Sequence, residues 1–356
     1  MGVLKEEKGV HIPDGYLSPQ TTIPAFAAMA PVWGTAFRKV KKTMERQSIP
    51  SLALCSAFSF LIMMFNVPVV GGSSAHAVGA VLIAILMGPW AAVISVSTAL
   101  LIQAVVFGDG GILAYGMNCL NMAVIMPFAG YYIYKVILGK AQPGSKRGLV
   151  ATFLGSYCGL NLAAFAAAVE FGIQPMLFHA ADGKALYCPY PLSVSIPSMM
   201  FAHGLVAGPI EGIVTAAAVA YLVKHSPQLF QRKSHPALQK ESFLKRYRAI
   251  LVPLAIMIVL TPLGLLATGT AFGEYGAEEI KEQLGYVPHG LNAASEWWKA
   301  LLPDYSLPAF GGSRLGTAGV YILSAIVGFL LIYAIIFISS RLALKQHGED
   351  KKNQEN

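Results

Sequence analysis

Two histidines in this chain sit where an imidazole can meet a metal ion. His11 precedes Ile12-Pro13-Asp14-Gly15, and His76 closes the small-residue run Gly71-Gly72-Ser73-Ser74-Ala75. Lys5 to Gly9 can be encoded by a purine-rich ribosome-binding sequence at ordinary spacing before residue 10, and GTG, a valine codon, also serves as a bacterial start. The expectation is therefore that residues 1–9 are a mis-assigned leader and that Val10 is the initiator methionine of Met-His-Ile-Pro-Asp-Gly. The rival is a hydrophilic tail, common at termini. A free amine followed by histidine offers three nitrogens to one ion: the amine, the histidine amide and imidazole Nδ1. They close five- and six-membered rings and leave one in-plane position, an arrangement suited to Ni(II) or Cu(II) and open to Co(II). His76 supplies that fourth nitrogen if it shares a face with His11. Taken alone, it reads as an interfacial histidine at a helix start.

Around this pair stand weaker candidates. Asp109, in Phe107-Gly108-Asp109-Gly110-Gly111, either orients a metal-bound histidine or serves a turn, since Asp-Gly is a turn pair. Asn118 and Asn121, three apart on one helix face, either hold the N-terminal loop or join helices. His203 and Glu211 share a face of a later apolar segment, where ionisable groups mark a path or a packing role. His179, His225, His235, His289 and His347 fall in loops without metal spacing and read as solvated.

The elements that position these residues are membrane helices. The chain has 356 residues, 55% hydrophobic and only 12% charged, against about a quarter charged in soluble domains. The fold expected is all-α, with about nine membrane segments near 22–37, 51–70, 76–88, 90–107, 116–138, 148–172, 193–223, 249–269 and 317–340. The first is short and broken by Pro24 and Pro31, the third and fourth form a hairpin at Gly88-Pro89, and the seventh is long for one crossing. Broken elements persist at membrane depth where protein or a polar cavity satisfies the freed backbone, and a binding site is one reason to keep them.

The net charge of +8 points to the positive-inside rule rather than to nucleic acid. Basic residues crowd 38–46, 135–147, 224–248 and the tail, and are almost absent from 71–75, 108–115 and 173–192. That pattern places the N-terminus outside, the C-terminus in the cytoplasm, and His11 and His76 on one outer face. A basic linker at 226–248 separates a first unit, 10–225, from a second, 249–345, whose acidic, aromatic segment 270–316 reads as a small outer loop domain; residues 346–356 are a polar tail. Cys55, Cys119, Cys158 and Cys188 show no Cys-x-x-Cys spacing and read as buried small hydrophobes. No phosphate-binding loop of the P-loop kind and no hydrolase motif occurs, so the chain does not read as an enzyme.

His11-Ile12-Pro13-Asp14-Gly15, Ser73-Ser74-Ala75-His76, and Asp109-Gly110-Gly111 with Asn118 and Asn121 closely resemble the substrate-capture (M) component of nickel/cobalt energy-coupling factor transporters. Glu211-Gly212-Ile213-Val214-Thr215-Ala216 is similar to a motif near the end of that unit. The second unit resembles the N component of nickel systems, through Thr261-Pro262-Leu263-Gly264, Gly273-Glu274-Tyr275-Gly276, Gly285-Tyr286-Val287-Pro288 and Leu302-Pro303-Asp304-Tyr305. The resemblance implies a fused M–N polypeptide of a bacterial or archaeal cytoplasmic membrane. It implies a metal held by the amine of Val10 as initiator methionine, by His11 and by His76. The partners implied are a transmembrane coupling (T) subunit and cytoplasmic ATPase subunits. Two rivals are a stand-alone secondary cation carrier using His203 and Glu211, and a non-transporting scaffold. Nickel is favoured over cobalt by the planar nitrogen set and by the type of the second unit. No cofactor is expected, the ion being the cargo.

Overall fold

The structure is a computed structural model. It describes residues 11–43, 49–69, 73–230, 242–267, 269–294, 298–307, 310 and 313–355, the side chains of 43 and 342–355 excepted. Val10, Gly71, Gly72, His235 and the side chain of His347 lie outside the described residues.

Helices follow the apolar runs one for one. They are α1 (Pro19–Thr43), α2 (Ile49–Met63), α3 (Ala80–Met87), α4 (Pro89–Phe107), α5 (Tyr115–Leu138), α6 (Lys146–Leu177), α7 (Leu192–His225), α8 (Phe243–Leu266), two short helices α9 (Ala277–Leu284) and α10 (His289–Ala294), and α11 (Arg314–Glu355). Six of these, α4 to α8 and α11, are long and apolar enough to cross a membrane, and α2 is a shorter apolar helix. The chain is a mostly helical, multi-pass membrane protein. One element departs from the all-α expectation: β1 (Val67–Val69) pairs antiparallel with β2 (Ser73–Ala75), Val67 opposite Ala75. Val67 and Val69 are β-branched and suit the pleat, and Pro68 between them has no backbone donor to give a helix.

The broken first element is a second correction. α1 runs unbroken through Pro24 and Pro31. Each proline withholds one backbone donor, a local cost that this 25-residue helix absorbs without ending. The expected turn between α3 and α4 is present: Gly88 adopts φ 92°, and Pro89 starts α4 with the φ a helix needs. α6 starts at Ser145, whose hydroxyl accepts from the Gly148 amide at 3.1 Å.

α4 is mostly buried and stands at the centre, whereas α8 and α11 leave most of their apolar surface outward, where lipid would cover it. α5, α6 and α7 pack side by side, and α11 lies along α2. The Tyr321 hydroxyl donates to the Met64 carbonyl at 3.0 Å, and a Cβ at Gly328 would meet the Phe60 ring at 2.1 Å. The two halves of the chain therefore share one core.

Three helices contain a π-helical turn: Gln103–Phe107 in α4, Cys119–Ile125 in α5 and His203–Ala207 in α7. Each carries a polar residue of the site described next: Gln103, Asn121 and His203. A π turn inserts an extra residue and re-aims the side chains around it, which is why it recurs at functional positions.

Candidate metal centre

The segment after His11 is a strap fastened at several points. Asn118 grips the Ile12 backbone from both sides: the Ile12 amide donates to Oδ1 and Nδ2 donates to the Ile12 carbonyl, both at 3.0 Å. The Gly111 amide donates to the same carbonyl at 2.9 Å. Asp14 accepts from the amides of Ile112 at 3.0 Å, Leu113 at 2.8 Å and Ala114 at 3.1 Å, satisfying the free donors that lead into α5. The strap lies so close that a Cβ on Gly111 would sit 2.1 Å from Asp14 Oδ1, and one on Gly110, at φ +86°, would sit 2.9 Å from the His11 Cβ. The Gly-Gly pair is what admits the strap.

His11 and His76 are thereby brought together and buried, at 3% and 4% exposure, with ring centroids 5.1 Å apart and planes tilted by 53°. β2 delivers His76, which lies four residues before α3 rather than at its first turn as expected. His11 Nδ1 is 2.6 Å from Asp109 Oδ1, and His76 Nδ1 is 3.0 Å from the Ala77 carbonyl. Each acceptor claims a proton on Nδ1, so each ring keeps its lone pair on Nε2. Both Nε2 atoms are buried without a hydrogen-bond partner and line the same cavity. A metal–nitrogen bond of about 2.0–2.1 Å and a ring radius of about 1.1 Å place two imidazole centroids roughly 4.5–6.3 Å apart when one ion is held between them, from a right angle to a straight line. The observed separation falls inside that interval.

This differs from the chelate expected from the sequence, in which Nδ1 of His11 faces the ion. Here Asp109 occupies Nδ1. The other oxygen of Asp109 accepts from Gln103 Nε2 at 3.0 Å and from the Tyr305 hydroxyl at 2.5 Å. Burial alone would raise the Asp109 carboxyl, but the adjoining His11 imidazole and the Tyr305 hydroxyl outweigh it and hold it below its ordinary value. Burial and the Asp109 charge hold the Tyr305 phenol well above its own, so it remains a donor. Tyr305 is fixed by stacking on Phe107, centroids 4.7 Å apart, and sits in a turn where Asp304 and Tyr305 both take positive φ, 50° and 56°. Non-glycine residues adopt that conformation only where surrounding structure enforces it.

The remaining candidates separate. Asn121 does not touch the strap; its Nδ2 donates to Glu170 Oε2 at 2.8 Å. His203 lines the cavity behind the histidines, its Nδ1 donating to the Met199 carbonyl at 2.9 Å. Glu211 does not line that cavity. Its Oε2 accepts from the Val78 amide at 2.8 Å and the Gly79 amide at 3.1 Å, so it caps the start of α3 from α7. His179, His225 and His289 are exposed, and the four cysteines are unpaired. Among the described residues no group of three or more His, Cys, Asp or Glu has metal-holding geometry.

Sequence reasoning missed Gln103, Glu170 and Tyr305. Glu170 was open to the rule that flags ionisable residues inside apolar helices. Tyr305 and Gln103 carry no such local signal, because their partner is Asp109 in another element.

The family model described as the cobalt uptake substrate-specific transmembrane region, CbiM, matches residues 11–229, more than half of the chain. The chain belongs to the CbiM family. A PDGLE domain matches residues 246–345, so the CbiM region is followed on the same polypeptide by a second known unit. The chain is 46% identical to the fused nickel transport protein NikMN of Rhodobacter capsulatus over 94% of its own length and 98% of that protein's. It is 43% identical to the probable fused nickel transport protein LarMN of Lactiplantibacillus plantarum, over 92% and 96%. The crystal structure of a truncated transition metal transporter superposes with a TM-score of 0.57 at 52% identity, covering 61% of this chain and 99% of that one. The resemblance drawn from the histidine and glycine motifs is thus borne out for both units. Tyr305 belongs to the PDGLE domain and Asp109 to the CbiM region, so the His11 environment is assembled from both.

Proposed function

We propose that this CbiM-family protein is the capture component of an uptake system for Ni(II) or Co(II), holding the ion between His11 and His76. The observation that carries the reading is the pair of buried, unpartnered Nε2 atoms on two imidazoles whose centroids lie 5.1 Å apart. Two orphaned buried lone pairs facing one cavity are costly unless something occupies the space between them. Nickel transport by relatives that match nearly the full length supports the choice of cargo.

Capture in this reading has two stages. Both imidazoles meet the ion through Nε2 while Asp109 holds His11 in place. If the native protein begins at residue 10, its amine and the His11 amide nitrogen then close a chelate with Nδ1, and the ring leaves Asp109 to do so. The amine of residue 10 lies outside the described residues. Four nitrogens in a plane favour nickel over cobalt. The basic clusters at 38–46, 135–147, 224–248 and the tail support a topology of nine membrane segments, with the N-terminus outside and the C-terminus in the cytoplasm. The M-type unit spans 10–225 and the N-type unit 249–345, joined by the basic segment 226–248. The family resemblance supports partnership with a coupling (T) subunit and separate ATPase subunits, which would bind the ATP that this chain, without a P-loop sequence, has no P-loop to hold.

Binding of Ni(II) to purified full-length protein tests the reading. His11→Ala and His76→Ala should each lower affinity by at least a hundredfold with the fold intact, and an unchanged dissociation constant for both would refute the site. Sequencing the mature N-terminus decides the amine: Met-His supports the chelate, and residues 2–9 would remove it.

A further inference from the structure

The cavity that His11 and His76 line holds about 60 Å³, and its wall on α6 runs from Phe171 to Leu160. Those two positions stand about 16 Å apart along a regular helix. The α6 lining between them is alanine, and besides Asn118, which holds the strap, the facing helices supply Asn121 of α5 and His203 of α7.

Each of these groups presents one uncommitted atom. Asn121 is 97% buried by complement of its 3% exposure; its Nδ2 is bound to Glu170, and its Oδ1 is buried with no partner. The NH₂ end of the amide is the end that meets Glu170, and Oδ1, on the other side of Cγ, is left without a hydrogen-bond partner. His203 spends its Nδ1 proton on the Met199 carbonyl, which leaves the Nε2 lone pair available. Both residues ride on π-helical turns.

We propose that Asn121 Oδ1 and His203 Nε2 form an inner station for a divalent transition-metal ion, which receives it from the His11–His76 pair, and that Glu170 is the positioning residue that turns Asn121 toward the cavity. The inference rests on the capture reading above. One amide oxygen and one imidazole, both neutral, bind a partly hydrated cation more weakly than a nitrogen chelate. That is what a station must do: accept the ion and release it.

The test uses the full-length protein and Ni(II) alone as probe. In the His11→Ala/His76→Ala chain the capture pair is gone. A residual weaker site should remain and should weaken at least tenfold on adding His203→Ala. The paired swap Asn121→Asp with Glu170→Gln keeps a hydrogen bond between the two positions, reversed in direction, and offers the cavity a carboxylate. It should tighten the residual site at least tenfold, a gain that misfolding cannot produce. Glu170→Gln alone keeps an acceptor for Asn121 and should preserve Ni(II) uptake by cells with the coupled system, whereas Glu170→Leu should lower it at least tenfold. No residual site in the double variant, or no tightening by the swap, overturns the inner station while leaving capture by the wild-type chain standing. Absence of Ni(II) binding by the wild-type chain overturns both.

Discussion

The Tyr305 hydroxyl donates to Asp109 Oδ2 at 2.5 Å, across 196 residues and from the PDGLE domain into the CbiM region. Through the opposite oxygen of the same carboxylate, that bond reaches His11 Nδ1 at 2.6 Å. The second unit therefore helps set which nitrogen of His11 carries a proton. Groups that orient a metal-bound histidine typically change affinity by about 10–100-fold when removed.

Tyr305→Phe removes that bond together with the one the hydroxyl accepts from Gln103 Nε2 at 2.9 Å. The ring keeps its stack on Phe107 and only the hydroxyl is lost. Ni(II) affinity should fall by about tenfold, measured by titration calorimetry, and thermal unfolding should register a loss of about 1.5–3 kcal/mol for a buried bond to a carboxylate. A wild-type affinity would show that the hydroxyl does not act on the site.

Asp109→Asn goes further along the same chain. An amide nitrogen can donate to Nδ1, which would move the imidazole proton to Nε2 and block the lone pair that faces the cavity. Affinity should fall by about 10–100-fold. Combined with Tyr305→Phe, the loss should be far from additive, because both changes act through one carboxylate. Additive losses would separate the two effects.

Glu211→Ala tests a structural assignment. Two amides, of Val78 and Gly79, would lose their acceptor beside His76, at a cost of about 2 kcal/mol or more. Thermal unfolding should register that loss, and Glu211→Gln, which keeps one carbonyl oxygen for both amides, should cost less. Unaltered stability of the Ala variant together with lost transport would return Glu211 to the ion's path.

Much of this site could be read from the chain. His11 and His76 stood out as a pair, an imidazole just ahead of a turn and another after a small-residue loop, which charge asymmetry assigned to one face. The helices were legible from apolar runs alone, but not all of their ends: α1 runs on to Thr43 past the expected 37, α2 stops at Met63 short of 70, and α11 continues to Glu355 past 340. Asp109 and Asn118 could be nominated, but not told apart from turn and packing residues, because their roles depend on His11 and Ile12 lying against them. Asn121 and Glu211 share a spacing rule with neighbours whose company they do not keep: one faces Glu170, the other the backbone before α3. Tyr305 was out of reach. Its partner lies in another domain, and no periodicity within residues 303–305 encodes that contact.

Nickel K-edge X-ray absorption on the loaded full-length protein addresses the central claim most directly. The account predicts a nitrogen-dominated shell with outer scattering from two imidazoles, reduced to one by either His11→Ala or His76→Ala. An oxygen-rich six-coordinate shell without imidazole scattering would contradict it.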